Sequence, residues 1–185
     1  IAENAQQELA TGYPLGKRFR SAETVRVSDA VPVQIGHHHR ADGRYRVYAF
    51  ADAENTQLAA WADWMLTSPE SPLHRFTAPG ADIDSVFDVK VVYQQGHRDV
   101  EFGEVPKLFL PKVGPFQLVD YEKVYAAGSG DTSHGTGEDI FESRGVSRDG
   151  AVVVVRPDHY VAHILPLTAT QELADFFAGF LTPRA

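Results

Sequence analysis

The chain has 185 residues, 43% of them hydrophobic and 11% aromatic, which suffices for one domain with a real core and makes two domains a squeeze. Its formal charge is -8, with 17 scattered Lys and Arg against 25 Asp and Glu, which excludes a nucleic-acid or anionic-membrane surface built on clustered cations. Cysteine is absent, so disulfides, thiolate nucleophiles, Fe–S clusters and cysteine-ligated zinc are excluded, nothing argues for an oxidising compartment, and a cytoplasmic location is the expectation.

No apolar run approaches the roughly 20 residues that a bilayer-spanning helix needs, and the opening IAENAQQELATGY carries no leader pattern. The chain starts at Ile1 and its only methionine is Met65, so it is expected to be processed or cut from something longer.

Residues 1 to 30 read as a lead-in: a helical scrap from Asn4 to Leu9, then Gly12, Pro14 and Gly16, then a mixed stretch that is poor material for a core. Val31, Val33 and Ile35 alternate, Asp42-Gly43 is a turn signal, and Tyr45, Val47, Ala49 and Ala51 oppose Arg44, Arg46, Tyr48 and Phe50. That pattern predicts a hairpin. From Asn55 the period changes: Leu58, Trp61, Ala62, Met65 and Leu66 form the stripe of an amphipathic helix that Ser68-Pro69 stops. A loop to about Asp84 follows, and VFDVKVVYQQ reads as a buried strand.

KLFLP and FQLVDYEKVY are short elements, AAGSGDTSHGTG is a flexible loop, and a helix is expected around Glu138 to Ser143. AVVVVRPDHYVAHILPL predicts two strands about an Arg156-Pro157-Asp158-His159 turn. The last helix, Thr168 to Leu181, has Thr168 and Gln171 at capping-box spacing and Leu173, Phe176, Phe177, Phe180 and Leu181 on its buried face. This order predicts an α/β domain over residues 31–185, thioredoxin-like and three-layered, with a mixed central sheet.

In such a domain a redox pair would sit between the first strand and the first helix, where this chain has Ala51-Asp52-Ala53-Glu54 and no disulfide chemistry is possible. His37, His38 and His39 cannot all converge from a strand, because neighbours point to opposite faces; a solvated hairpin end explains them better than a metal. His159 and His163 share a strand face without a third ligand. The Gly128–Gly135 loop has Ser133 where a dinucleotide fingerprint needs its third glycine, and no G-x-S-x-G elbow places a nucleophile. Asp82 and Asp84 read as local turn formers before paired acids. No catalytic, cofactor-binding or metal-ligating residue is assigned.

The stretches GKRFRSAETVRVSDAVPVQIGHHHRADGRYRVYAFAD, DIDSVFDVKVVYQQGHRDV, LPKVGPFQLVDYEKVY and VVVVRPDHYVAHILPL together resemble the C-terminal domain of the phenol 2-monooxygenase and 3-hydroxybenzoate 4-monooxygenase group of FAD-dependent aromatic hydroxylases. RPDHYVAHILPL is the most specific block. The resemblance implies a parent enzyme that uses FAD, NADPH and O2 to hydroxylate a phenolic ring such as 3-hydroxybenzoate or phenol. It implies a thioredoxin-like domain without redox cysteines that serves subunit contact, and a homodimer. Residues 1 to 30 would then lead in from upstream FAD and substrate domains of the same chain. Gly36 to Arg44 and Arg156 to His159 become candidate docking edges. The competing expectations are a free-standing thioredoxin-like binding or scaffold protein and a metal-dependent enzyme using the histidines.

Overall fold

The strand-forming runs assemble into a seven-stranded mixed sheet in a computed structural model that describes residues 5–128 and 135–184. In chain order, β1 (Glu23–Arg26) and β2 (Val31–Gln34) precede β3 (Tyr45–Phe50), helix α1 (Thr56–Thr67), the short helix α2 (Pro72–Phe76) and β4 (Phe87–Tyr93). A small separate hairpin follows, β5 (Lys112–Val113) with β6 (Leu118–Val119), and then β7 (Val124–Ala126), helix α3 (Ile140–Ser143), β8 (Ala151–Val155), β9 (Val161–Leu165) and helix α4 (Thr170–Ala178). The sheet runs β2-β1-β7-β4-β3-β8-β9. Parallel pairs join β3 to β4 and β4 to β7, and every other pair is antiparallel.

Alternation along β3 explains the layers. Val47 and Ala49 face one side, where Leu58, Trp61 and Met65 of α1, Leu73 and Phe76 of α2, and Leu173 and Phe177 of α4 close a core. Tyr48 and Phe50 face the other, meeting Tyr13, Phe19, Ile35 and the α3 residues Ile140 and Phe141. A strand buried on both faces loses the polar alternation of a half-exposed one, which is why AVVVV in β8 is a continuous apolar run.

Several expectations need correction. Val31 to Gln34 does not pair with Tyr45 to Ala51: β2 pairs with β1, Thr24 opposite Val33, while β3 lies between β4 and β8. Between the two strands the chain makes a 3-10 turn, Ile35–His38, and Asp42 accepts from the Arg44 N–H and from the Arg44 and Arg46 side chains, so Asp42-Gly43 is a local turn within a longer connection rather than the tip of a hairpin. Residues within 1 to 30 are not poor core material. Ala10, Tyr13, Phe19 and Ala22 are buried, and the segment covers the outer edge of β9 through Gly16 N–H to Val161 O at 2.9 Å and Val161 N–H to Lys17 O at 2.9 Å. Gly12 donates to Arg144 O at 2.8 Å, and a Cβ there would lie 2.6 Å from the Arg144 backbone.

At the last helix, Ala169 rather than Thr168 stands at the N-cap, without a side-chain cap, and Phe180 is 50% exposed rather than buried. The loop before Asp84 contains α2, started by the Ser71 hydroxyl accepting from the His74 N–H, with Pro72 in its first turn. Residues 129–134 of the glycine-rich loop lie outside the described residues.

Candidate functional site

The place where the thioredoxin layout puts thiols is filled by a carboxylate. Asp52, at the end of β3, accepts from the backbone N–H groups of Thr56, Gln57 and Leu58 at 3.0, 3.2 and 2.9 Å. These are donors that the first turn of α1 leaves unpaired, and a buried carboxylate against them satisfies both partners. Asn55 takes φ +57° to let the chain turn into the helix. A dinucleotide cofactor needs such a helix N-terminus free to receive its pyrophosphate, and here the Asp52 charge would repel it. The residues at this site therefore do not fit FAD or NADPH.

At the opposite end of the sheet, the lead-in face carries a buried row of charges. Arg46 of β3 and Asp88 of β4 are register partners, and Arg46 Nε lies 3.1 Å from Asp88 Oδ2. Lys123 Nζ approaches Asp88 at 2.7 Å, Asp84 at 2.9 Å and Asp120 at 3.3 Å, while Lys90 Nζ is 3.4 Å from Asp88. Three cations therefore meet on one carboxylate. Burial opposes ionisation of Asp88, but Lys90 and Lys123 hold it far below the usual carboxylate range. Burial pushes the Lys90 ammonium down despite Asp88, whereas Asp88 and Asp84 outweigh burial at Lys123 and raise it.

Asp84, Asp88, Lys90, Asp120 and Lys123 floor a cleft of about 640 Å³ that His38, Arg40 and Tyr125 also line. The cations that reach the floor already have carboxylates, so the row acts first as a clamp joining β3, β4 and the entry to β7. Asp84, read from sequence as a turn former, belongs to this network through Arg44 and Lys123, while Asp82 accepts from Gly114 N–H at 2.8 Å. Sequence reasoning missed the row. The available signal was Asp88 and Lys90 at i and i+2 in a fully buried strand, since opposite charges on one buried face demand partners.

The histidines separate. His37 and His38 lie in a 3-10 turn, Ile35–His38, rather than on a strand. The His39 ring instead packs on His159 with centroids 4.0 Å apart, and its Nε2 is 3.4 Å from the Tyr48 hydroxyl. Burial, aided by His159, pushes the His39 imidazole down to about 3. His163 sits elsewhere, buried against Phe176, its Nδ1 accepting from Ile164 N–H at 3.0 Å. Among the described residues no three His, Asp or Glu side chains cluster closely enough to hold a metal ion. The two loops singled out as docking edges, Gly36 to Arg44 and Arg156 to His159, thus pack on each other through His39 and His159.

The exposed apolar side chains concentrate on the separate hairpin. Phe116 is 82% exposed and Leu118 67%, and Tyr121 just beyond β6 is 46% exposed with its ring edge-on to Phe102 at 5.3 Å. No helix among the described residues is long and apolar enough to cross a membrane.

Comparison with known proteins gives this geometry a family. Among solved structures, a thiol:disulfide interchange protein from Bacteroides sp. superimposes with a TM-score of 0.56 at 11% identity, over 92% of this chain and 91% of the other. The thioredoxin domain of a Bacteroides vulgatus thiol-disulfide oxidoreductase gives 0.53 at 12% identity, over 91% and 99%. These likenesses establish the thioredoxin-like fold, with Asp52 and no cysteine at the thiol position. By sequence, the chain is 45% identical to a 3-hydroxybenzoate 4-monooxygenase of Comamonas testosteroni over 96% of its own length and 28% of the relative's. It is 28% identical to the FAD-dependent monooxygenase terD of Aspergillus terreus over 99% of its length and 30% of that protein's. The chain thus spans less than a third of these relatives. A family model matches from end to end, residues 1–185, and by it the chain belongs to the phenol hydroxylase C-terminal dimerisation domain family.

Proposed function

We propose that this chain serves as the dimerisation domain of an FAD- and NADPH-dependent monooxygenase that hydroxylates a phenolic ring such as 3-hydroxybenzoate or phenol, and that it takes no part in the chemistry. The observation that carries this reading is the end-to-end family match. The Asp52 cap adds support, because it puts a structural hydrogen-bond acceptor where thioredoxin-like enzymes do chemistry. Upstream FAD and substrate domains would supply the flavin site, and residues 1 to 30 would enter from them. Since that segment packs into the core here, the link would be a rigid one, with the sheet held at a set angle to whatever precedes it. A cytoplasmic location accords with the cysteine-free composition.

The test is the mass of the purified chain by sedimentation equilibrium. A dimer of about twice 20.4 kDa is expected. A monomer at every concentration overturns the assembly reading, and stoichiometric flavin in the purified chain overturns the non-catalytic one.

A further inference from the structure

We infer that the β5–β6 hairpin, with Phe116 and Leu118 at its end and Tyr121 beside it, is the arm through which the domain grips a second copy of itself. The inference rests on the dimerisation reading above and says where on the surface that contact lies.

Of the six large apolar side chains exposed among the described residues, three fall within positions 116 to 121. The other three, Val31, Tyr160 and Phe180, belong to separate elements. The hairpin stands outside the seven-stranded sheet, so Phe116 is not there to fill this chain's core. Such a cluster of large side chains marks an association site more often than chance exposure does.

Charge selects the partner. Two copies that each carry -8 repel at long range, so a self-contact needs a surface from which acidic groups are withdrawn. From Val105 to Val119 the chain runs without an Asp or Glu and carries two lysines, the longest such stretch in the sequence. Of the carboxylates that flank the stretch, Asp82 accepts from Gly114 N–H at 2.8 Å and Asp120 pairs with Lys123, while Glu122, exposed beside Tyr121, has Arg26 at 3.5 Å.

The arm is also held in one shape, which lowers the entropy lost when it docks. Gln117 N–H closes the turn on Gly114 O at 3.0 Å, with Pro115 at the second position, and Gly114 and Gln117 take φ +71° and +49°. Gln117 Nε2 donates to Gly114 O at 2.9 Å and reaches Asp82 at 3.3 Å. In a two-fold dimer the same patch meets itself, so one aromatic tip contributes two anchors to the centre of the interface.

Sedimentation velocity of the wild type beside F116S/L118S and beside V31S separates the outcomes. Both altered patches are exposed, so the folded monomer is expected to survive, and its circular dichroism spectrum reports this. The arm variant is expected to weaken dimerisation at least about tenfold while V31S leaves it unchanged, because central apolar anchors dominate an interface. A wild type that is itself monomeric removes the dimerisation reading and this inference with it. A dimeric wild type whose arm variant dimerises equally well removes the inference alone. Hydrogen exchange on the unaltered chain gives an independent readout: amides of residues 112–121 should slow as protein concentration passes through the dimerisation range. Exchange there that ignores concentration overturns the assignment.

Discussion

Asp88 is the carboxylate on which the buried charge row converges. Arg46, Lys90 and Lys123 all face it, and all of them are buried. Removing its charge takes from buried Lys90 the carboxylate it pairs with and leaves Arg46 to Asp42 and Lys123 to Asp84 and Asp120, and an uncompensated buried cation costs more than the pair itself contributes. Asp88→Asn is expected to lower unfolding free energy in urea by about 3–5 kcal/mol, and a loss below about 1 kcal/mol would show that water screens the row. Asp52 has a smaller and more local task. Replacing it by Ala releases three backbone donors at α1, for an expected cost of about 1–2 kcal/mol measured the same way, with the sheet intact. Both residues are visible in the sequence, but neither role is. The sequence shows Asp88 beside Lys90 in one strand, but only the fold brings Lys123, 35 positions away, to 2.7 Å from it.

Among the elements, periodic ones are legible in the sequence and aperiodic ones are not. The α1 stripe of Leu58, Trp61, Ala62 and Met65 is buried as its spacing predicts, and β8 and β9 flank a turn closed by His159 N–H on Arg156 O at 2.9 Å. Ahead of β1 the lead-in has no period of 2 or 3.6 because its backbone there is irregular, so the burial of Ala10, Tyr13 and Phe19 leaves no pattern to read. It nonetheless builds a ladder of rings, Tyr13 on Phe19 and Phe19 on Tyr48, each pair 4.6 Å apart and nearly parallel. Tyr13→Ala is therefore expected to cost about 3–5 kcal/mol, the range for a large core ring, whereas a solvated linker residue would change stability by less than about 0.5 kcal/mol. Thermal or urea unfolding of that single variant decides between the two. The mistaken hairpin has a related origin. Alternation identifies a strand and its faces but not its neighbour, and β2 and β3 lie four places apart in the sheet.

For the domain as a unit, pH dependence follows from its neutral imidazoles. Burial lowers His38, His39, His159 and His163, with His39 pushed down to about 3 and His163 to about 4, against 6.5 for a free side chain. Between those limits the unfolded chain binds protons that the folded chain refuses, so stability rises with pH through this window. It is full above about pH 7 and is lost as pH falls through 6.5 toward 4. Asp42 and Asp88, both held below the usual carboxylate range, add a loss of the same sign only in stronger acid. The melting temperature is expected to fall steadily from about pH 7 to about pH 4.5, beginning well above the carboxylate range. A melting temperature flat down to about pH 5 would contradict the neutral-histidine packing.

Composition and local pattern were enough to exclude thiol chemistry and to order the main strands and helices. Those properties depend on residue type and short-range spacing, which a linear chain displays directly. Three-dimensional packing chose which strands pair, buried the lead-in, gathered Arg46, Asp88, Lys90 and Lys123 into one row, and left Phe116 and Leu118 outside. Each of those outcomes depends on which distant residues come to share a face, and the energy of burying a ring or a charge is set by neighbours that the chain brings together only when it closes.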